Sequence, residues 1–260
     1  MRKKIQNSLI MSLCIVSLSI TSVLAVEIKS ATEAVNIAGK QRMFTQRMLK
    51  DYAMVGMNNM FGKPDVDLKK IVNEFENHMQ SLMQYTKNEV TKKSLEEVNK
   101  LWEPIKQMLL TPSVKENAIT LQENLEVLLK ASDNTTKLFT KESGKESGKI
   151  VNLSGRQRML SQRMAGLYML KVWGIDDPQF KTKLNESMKL FKDSLMELEK
   201  SKLNTEEINM LLAKVKRSFM FFEMMGKSKS KFVPTLIYKK SNDILGNMDK
   251  VTQKYVAIEK

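Results

Sequence analysis

The feature that most constrains this chain is a 13-residue stretch that occurs twice. Residues 36–48 read N-I-A-G-K-Q-R-M-F-T-Q-R-M, and residues 152–164, which lie 116 positions later, read N-L-S-G-R-Q-R-M-L-S-Q-R-M. Asn, Gly, Gln, Arg, Met, Gln, Arg and Met recur at the same spacing. An internal repeat of this length indicates that the chain is built from two copies of one structural unit.

The repeated stretch has the periodicity of a helix with two different faces. At about 100° per residue, apolar residues such as Ile37 and Phe44 fall on one stripe, whereas the polar residues fall on a separate arc. The stripe changes between the copies, as a core that needs only volume allows, but the arc is identical in both. A recent duplication would also leave identical residues, yet the rest of the two halves shares little beyond its pattern. We therefore infer that the polar arc has a binding or interface role.

The residue types on this arc favour an acceptor group as its partner. Gly39 and Gly155 each cost about 1 kcal/mol of helix stability relative to Ala, which makes sense if a backbone or a small ligand approaches closely there. The arginines and amides of the arc can bind a carboxylate, a planar oxyanion or the acidic groups of a partner. Arginine suits a planar acceptor because its rigid fork donates two parallel hydrogen bonds.

The motif resembles the signature of the PilJ-type domain, the N-terminal sensory region of type IV pilus methyl-accepting chemotaxis transducers. That domain is similar to the periplasmic sensor of nitrate/nitrite-responsive histidine kinases, in which a related helix binds nitrate between two symmetry-related copies in a dimer. The resemblance implies a non-enzymatic, periplasmic sensory module that binds a small anion, nitrate or nitrite. With the amides of the arc included, the predicted ligand-binding residues are Asn36, Gly39, Arg42, Met43, Gln46, Arg47, Asn152, Gly155, Arg158, Met159, Gln162 and Arg163.

One chain carries both copies of a helix that the sensor kinases supply from two chains. We therefore hypothesise that the two motif helices pack against each other across an internal pseudo-two-fold axis, so that a monomer forms the site. In the competing geometry the two units are separate bundles, and each pairs with a second chain in a homodimer.

Helical spacing continues through the rest of the chain, and no stretch alternates as a strand does. The prediction is an all-α fold of two tandem four-helix-bundle repeats of about 116 residues, covering residues 27–143 and 144–260. Glycine and proline mark the breaks between helices, and the polar, glycine-containing residues 141–149 join the two units. Asp65 or Asp67 is predicted to cap the second helix.

The first 25 residues have the pattern of a secretory signal peptide. Three basic residues at positions 2–4 precede an apolar stretch over residues 9–24, and small residues at the end allow cleavage. The alternative is an uncleaved membrane anchor. We expect a periplasmic protein, from which cleavage would remove Cys14, the single cysteine.

The net charge of +14 would suggest nucleic acid in a cytoplasmic protein, but export argues against that partner. The lysines are scattered, which is typical of a solvated surface. With one histidine, no cysteine after cleavage and no glycine-rich phosphate loop, the chain is predicted not to be an enzyme and to carry no cofactor.

Two further features contain residue types that can bind metals. Met54, Met57 and Met60 are spaced three apart, and thioethers bind Cu(I), but methionine more often fills helical cores. His78 lies on an apolar face and is predicted to be a core residue. No metal site is predicted.

Two functions remain open at this point. In the first, the chain is an anion-binding sensory module that reports through a separate membrane receptor or envelope protein, because no signalling module follows the second unit. In the second, it is a structural or interaction protein whose arginine face docks an acidic pilus or chemoreceptor component.

Overall fold

A computed structural model of the protein describes residues 26–227 and 233–258. These residues form eight α-helices and contain no β-strand, which confirms the predicted all-α fold. The proposed signal segment, residues 1–25, lies outside the described residues. The helices are α1 (Ala31–Gly56), α2 (Pro64–Tyr85), α3 (Glu89–Leu109), α4 (Ala118–Ser143), α5 (Glu146–Val172), α6 (Pro178–Glu199), α7 (Glu206–Lys227) and α8 (Pro234–Ala257).

Four of the eight helices begin where the sequence supplies a side-chain cap. The Ser30 hydroxyl accepts the backbone N–H of Glu33 at the start of α1, and the Asp177 carboxylate does the same for Gln179 at the start of α6. The predicted aspartate cap of α2 is wrong, because Lys63 occupies the N-cap with φ 58°. Pro64 follows at the first helical position, where its missing N–H costs nothing. Asp65 and Asp67 therefore lie inside the first turn, where their negative charges interact favourably with the positive end of the helix dipole.

A single turn joins the two units. Helix α4 ends at Ser143, and Gly144 adopts the left-handed conformation with φ 61°, with its N–H bonded to the carbonyl of Lys141. Glycine takes this conformation without a Cβ penalty, as is common at helix C-termini. Helix α5 begins two residues later at Glu146. The predicted boundary between residues 143 and 144 falls at this turn.

Each unit closes into a four-helix bundle. In the first unit α1 packs on α2 and α4, and α3 packs on the same two helices; α5–α8 repeat this order in the second unit. The most extensive helix pair in the described protein is α1 with α5, and it is supported by contacts of α4 with α5 and of α1 with α8. The two motif helices therefore pack against each other within one chain, as the internal-pairing hypothesis predicts.

A pair of buried glutamines orients the motif helices in their own bundles. The Gln41 side chain donates a hydrogen bond of 3.0 Å to the carbonyl of Phe75 in α2, and Gln157 donates an equivalent bond of 3.0 Å to the carbonyl of Phe191 in α6. All four residues obey the 116-residue offset. Because a helix rotated about its axis would break this bond, each glutamine fixes which face of its motif helix meets the other unit.

The remaining sequence predictions can be placed on this fold. His78 is buried with its ring 5.3 Å from that of Phe44, and burial lowers the pKa of His78 to about 3, so it is a neutral core residue as predicted. Met54 lies in the core, whereas Met60 is 46% exposed, so these methionines do not share one environment. No helix of the described residues is long and apolar enough to cross a membrane.

Lys50 is a buried cation of the first unit whose hydrogen-bond partners lie in the second unit. The Lys50 ammonium is fully buried, donates hydrogen bonds of 2.7 Å to Gln162 Oε1 and 2.7 Å to Asn242 Oδ1, and lies 4.1 Å from the centroid of the Tyr238 ring. All three partners belong to α5 or α8. Lys50 therefore links the two units through two hydrogen bonds to amide oxygens and one cation–π contact.

The neighbouring residue, Asp51, is a fully buried carboxylate whose nearest cation is Lys50, 3.7 Å away. Neither carboxylate oxygen accepts a hydrogen bond. Burial raises the pKa of Asp51 to about 8 and lowers the pKa of Lys50 to about 8, because both charges are removed from water. At the equivalent positions the second unit carries Gly166 and Leu167, so this pair occurs once.

We predict that Lys50→Met lowers the free energy of unfolding by about 2 kcal/mol or more, because it leaves the side-chain oxygens of Gln162 and Asn242 without their donor and Asp51 without its polar neighbour in the core. Asp51→Leu, which introduces the residue of the second unit, should cost less, because Lys50 keeps its three partners. The double variant should be more stable than Lys50→Met alone. Urea unfolding followed by circular dichroism measures all three, and Lys70→Met, which removes an exposed lysine, is the control. An Asp51→Leu variant as unstable as Lys50→Met would contradict this account.

Candidate functional site

Two fully buried arginines meet where α1 packs on α5. Arg42 and Arg158 occupy equivalent positions of the two motif copies. A Cβ atom placed on Gly39 would lie 3.4 Å from Arg42 Nη2 and 3.6 Å from Arg158 Nη2, and one placed on Gly155 would lie 3.5 Å and 3.3 Å from the same two atoms. The Nη2 atoms of the two guanidinium groups therefore converge between the two glycines, at about contact distance from where a Cβ atom would stand.

The Arg42 guanidinium bonds to both units. Its Nη1 donates a hydrogen bond of 2.6 Å to Asp133 Oδ1 on α4 of the same unit. Its Nη2 donates to Asn152 of the opposite unit, at 2.8 Å to the side-chain Oδ1 and at 3.3 Å to the backbone carbonyl. One end of the guanidinium is thus held by its own bundle and the other by the facing motif helix.

Arg158 repeats this arrangement in the second unit. Its Nη1 donates a hydrogen bond of 2.6 Å to Asp249 Oδ1 on α8, and its Nη2 donates to Asn36 at 2.8 Å to Oδ1 and 3.4 Å to the carbonyl. Each partner of Arg158 lies 116 residues from the corresponding partner of Arg42. These residues have an internal pseudo-two-fold axis, and we refer to them as the arginine cluster: Asn36, Gly39, Arg42, Asp133, Asn152, Gly155, Arg158 and Asp249.

The electrostatics of the arginine cluster reflect burial opposed by ion pairing. Burial lowers the pKa of both arginines, and the aspartate bonded to each one opposes that shift. Burial alone would raise the pKa of Asp133, but Arg42 and Lys137 outweigh it and hold that pKa below its ordinary value. Both guanidinium groups therefore stay charged, and two cations with two carboxylates give these four side chains a formal charge of zero.

Each guanidinium also keeps a donor that the protein does not use. The Nε atoms of Arg42 and Arg158 are both buried and have no hydrogen-bond partner. A buried N–H without an acceptor costs roughly 1–3 kcal/mol, so an acceptor at this position would stabilise the cluster. Two convergent guanidinium groups with unused donors can bind a planar oxyanion, in which three coplanar oxygens accept from several directions.

The other predicted site residues lie beside the arginine cluster or further along the helices. Met43 and Met159 are buried next to the arginines in sequence, and Gln46 and Gln162 are fully buried one turn further on. The Gln46 amide donates to Thr45 Oγ1 at 3.3 Å, and the Gln162 amide donates to Ser161 Oγ at 3.2 Å. Both glutamines are therefore engaged within the core.

Arg47 and Arg163, also predicted as ligand-binding residues, are not brought into the arginine cluster. Arg47 binds Asp67 bidentately, through Nε at 2.8 Å and Nη2 at 2.6 Å. Arg163 pairs with Glu126 at 2.9 Å. Their side chains are 22% and 17% exposed, and each is committed to a carboxylate away from the two glycines.

Sequence reasoning missed Asp133 and Asp249, the carboxylates that hold the two arginines. Each lies 91 residues from its arginine, so helical periodicity could not connect them. The signal that could have found them is the repeat itself, because the offset of 116 residues relates Asp133 to Asp249 as it relates Arg42 to Arg158. Among the described residues, no group of three His, Cys, Asp or Glu side chains is placed to hold a metal ion.

The comparison with known proteins identifies the family. The family model described as "Type IV pili methyl-accepting chemotaxis transducer N-term" (PilJ) matches residues 24–135 and 139–216. Each matched segment contains one copy of the motif and one of the two arginines. No curated protein and no solved structure shows a significant match. The two matched segments cover most of the sequence, and the chain therefore belongs to the PilJ family of type IV pili methyl-accepting chemotaxis transducer N-terminal domains.

Proposed function

We propose that this chain is a periplasmic sensory module that binds one small planar anion, nitrate or nitrite, at the arginine cluster. The observation that carries the proposal is the convergence of Arg42 and Arg158 on the space between Gly39 and Gly155. Two buried cations at one point repel each other and cost desolvation energy. This cost must be offset by an interaction with the two arginines, either a bound anion or a specific contact within the protein.

The chemistry of the cluster suits a compact oxyanion. The two glycines leave the approach to the guanidinium groups free of side chains, and the unused Nε donors of both arginines supply directional hydrogen bonds. Because both arginines are fully buried, the local dielectric around them is low, and each charged hydrogen bond is stronger than it would be in water. A large or branched ligand would not fit between two packed helices.

Binding would change the contact between the two units. An anion between the glycines competes with the oxygens of Asn36 and Asn152 for the Nη2 donors of the opposite arginines. These arginine–asparagine bonds link α1 to α5 directly. Replacing them with bonds to a shared anion therefore favours a different relative position of the two helices, which is the differential interaction that a conformational signal requires. A separate membrane receptor or envelope protein would read that shift.

The site is complete within one chain, so the proposal includes a stoichiometry of one anion per monomer. Each guanidinium comes from a different unit, and each is held by residues of both units. No second chain is needed to supply a ligand-binding residue.

Two alternative roles for the arginine cluster compete with this proposal: docking of an acidic partner, and a purely structural contact between the units. An acidic partner cannot dock on Arg42 or Arg158 while both are fully buried, unless α1 and α5 separate. The second alternative is that the cluster is only a polar clamp, meaning a set of hydrogen bonds that holds the two units together. It follows from the fact that an aspartate and an asparagine already pair with each arginine. The two experiments below distinguish a clamp from a binding site.

We predict that calorimetric titration of the protein with nitrate or nitrite gives saturable binding of one anion per chain, with chloride as the reference anion. Arg42→Lys and Arg158→Lys should each weaken binding about tenfold or more, because lysine cannot reproduce the fork of donors. Arg47→Lys and Arg163→Lys, made in the same motif but outside the cluster, are matched controls and should change affinity little. No heat and no thermal stabilisation with either anion would refute the proposal.

Gly39→Ala separates the clamp from the binding site. The added methyl would lie 3.4 Å from Arg42 Nη2 and 3.6 Å from Arg158 Nη2, which is ordinary contact, so the variant should fold. It should gain up to about 1 kcal/mol of stability from helix propensity and lose anion binding, because the methyl fills the shared space.

The matched control is Gly246→Ala in α8, where an added Cβ meets nothing within 4 Å. It should gain similar stability and bind anions as the wild type does. Urea unfolding and calorimetry on the same preparations provide both readouts. A Gly39→Ala variant that binds like the wild type would favour the clamp.

A further inference from the structure

We infer that Asp133 and Asp249 are the specificity-determining residues of the arginine cluster and restrict it to monovalent anions. The inference rests on the proposed function, since it concerns the charge of the anion that the same site accepts. It goes beyond that function because the two aspartates lie on α4 and α8, outside both copies of the motif. Nothing in the motif specifies them.

The first step is the charge balance. Each aspartate is bonded at 2.6 Å to the Nη1 atom of one arginine, so the four side chains carry no net charge before an anion arrives. A monovalent anion leaves the group at −1, and a divalent anion leaves it at −2. Because the cost of a buried charge rises steeply with its magnitude in a medium of low dielectric, the aspartates penalise the divalent anion much more than the monovalent one.

The second step is that the other cations near the two carboxylates are less buried than Arg42 and Arg158. The remaining oxygen of Asp133 pairs with Lys137 at 2.7 Å, and that lysine side chain is 59% exposed and screened by solvent. The remaining oxygen of Asp249 accepts from the neutral amide of Gln253 at 3.0 Å. Lys40 lies near Asp249, and Arg156, at the equivalent position of the second motif copy, lies near Arg42; both are only half-buried. The carboxylate charges are thus offset, beyond the two arginines, only by cations that solvent partly screens.

The aspartates also position the donors. Each takes only Nη1 of its arginine, so the guanidinium plane is fixed while Nε keeps its unused N–H. Without the aspartate, Nη1 would be free, and the guanidinium could rotate to present either its Nη1–Nη2 edge or its Nη2–Nε edge to any acceptor, whatever its shape. Charge and position are therefore two separable contributions of the same residue.

Isosteric substitution separates these contributions. Asp133→Asn and Asp249→Asn keep an oxygen that can accept from Nη1 but remove one negative charge from the cluster. Asp133→Ala removes both the acceptor and the charge. Asp193→Asn on α6 is the control, because it removes the same charge from a 49% exposed side chain paired with Lys189.

The test is calorimetric titration of the full chain with nitrate and with sulfate, and the readout is the ratio of the two dissociation constants. A variant that only destabilises the fold would not change this ratio. The wild type should bind nitrate and bind sulfate at least a hundredfold more weakly. Each Asp→Asn variant should lower the ratio of the sulfate to the nitrate dissociation constant about tenfold or more, which corresponds to about 1.4 kcal/mol. Asp193→Asn should leave the ratio as in the wild type, and Asp133→Ala should weaken nitrate binding.

The outcomes distinguish this inference from the function on which it rests. If the wild type binds nitrate but both Asp→Asn variants keep its nitrate-to-sulfate ratio, the inference is overturned and the proposed function stands. If Asp193→Asn shifts the ratio equally, the effect belongs to the overall charge of the protein, and the inference is again overturned. If the wild type and all variants bind neither anion, the proposed function fails together with the inference.

Discussion

The packing of this protein depends on how two buried guanidinium groups obtain their acceptors. An arginine removed from water must have carboxylate or carbonyl partners, or the unpaired charge destabilises the fold by several kcal/mol. Arg42 takes its carboxylate from α4 of its own bundle and its amide oxygen from α5 of the other, and Arg158 does the converse. Both requirements are met only if α1 and α5 pack with the two motif copies directly opposite each other. The relative position of the two bundles therefore follows from satisfying these two cations.

The pseudo-symmetry is strict at the axis and relaxed away from it. Around the glycines, every bonded residue has the identical residue 116 positions away. Further along the helices the arginines persist but their partners change: Arg47 pairs with Asp67 on α2, whereas Arg163 pairs with Glu126 on α4. The position equivalent to Asp67 holds Lys183, so Arg163 pairs instead with Glu126, which lies on α4 of the first unit. Away from the axis any nearby carboxylate suffices, whereas at the axis the geometry itself is required.

Much of the fold could be predicted from the sequence, and much less of the site. Long segments with a 3.6-residue period gave the helices, because an amphipathic pattern needs no knowledge of the partner. The polar arc included Arg42 and Arg158, which the structure buries together between the two units. It also included Arg47, because residues five apart differ by about 140° around a helix, and an arc that wide faces more than one neighbour. Which neighbour each arginine meets depends on tertiary packing, and Asp133 and Asp249 entered the site only through that packing.

Carrying both motif copies in one chain has a physical consequence for a site at their interface. A homodimeric site assembles only as far as the protomer concentration allows, whereas the turn at Gly144 holds the second bundle beside the first at an effective concentration set by the chain. It also allows the two ends of the interface to differ. Lys50 crosses between the units at one end, and the equivalent position at the other end holds Gly166. A symmetric dimer would place every such substitution at both ends, so only the single-chain arrangement can keep a symmetric arginine cluster between two unlike ends.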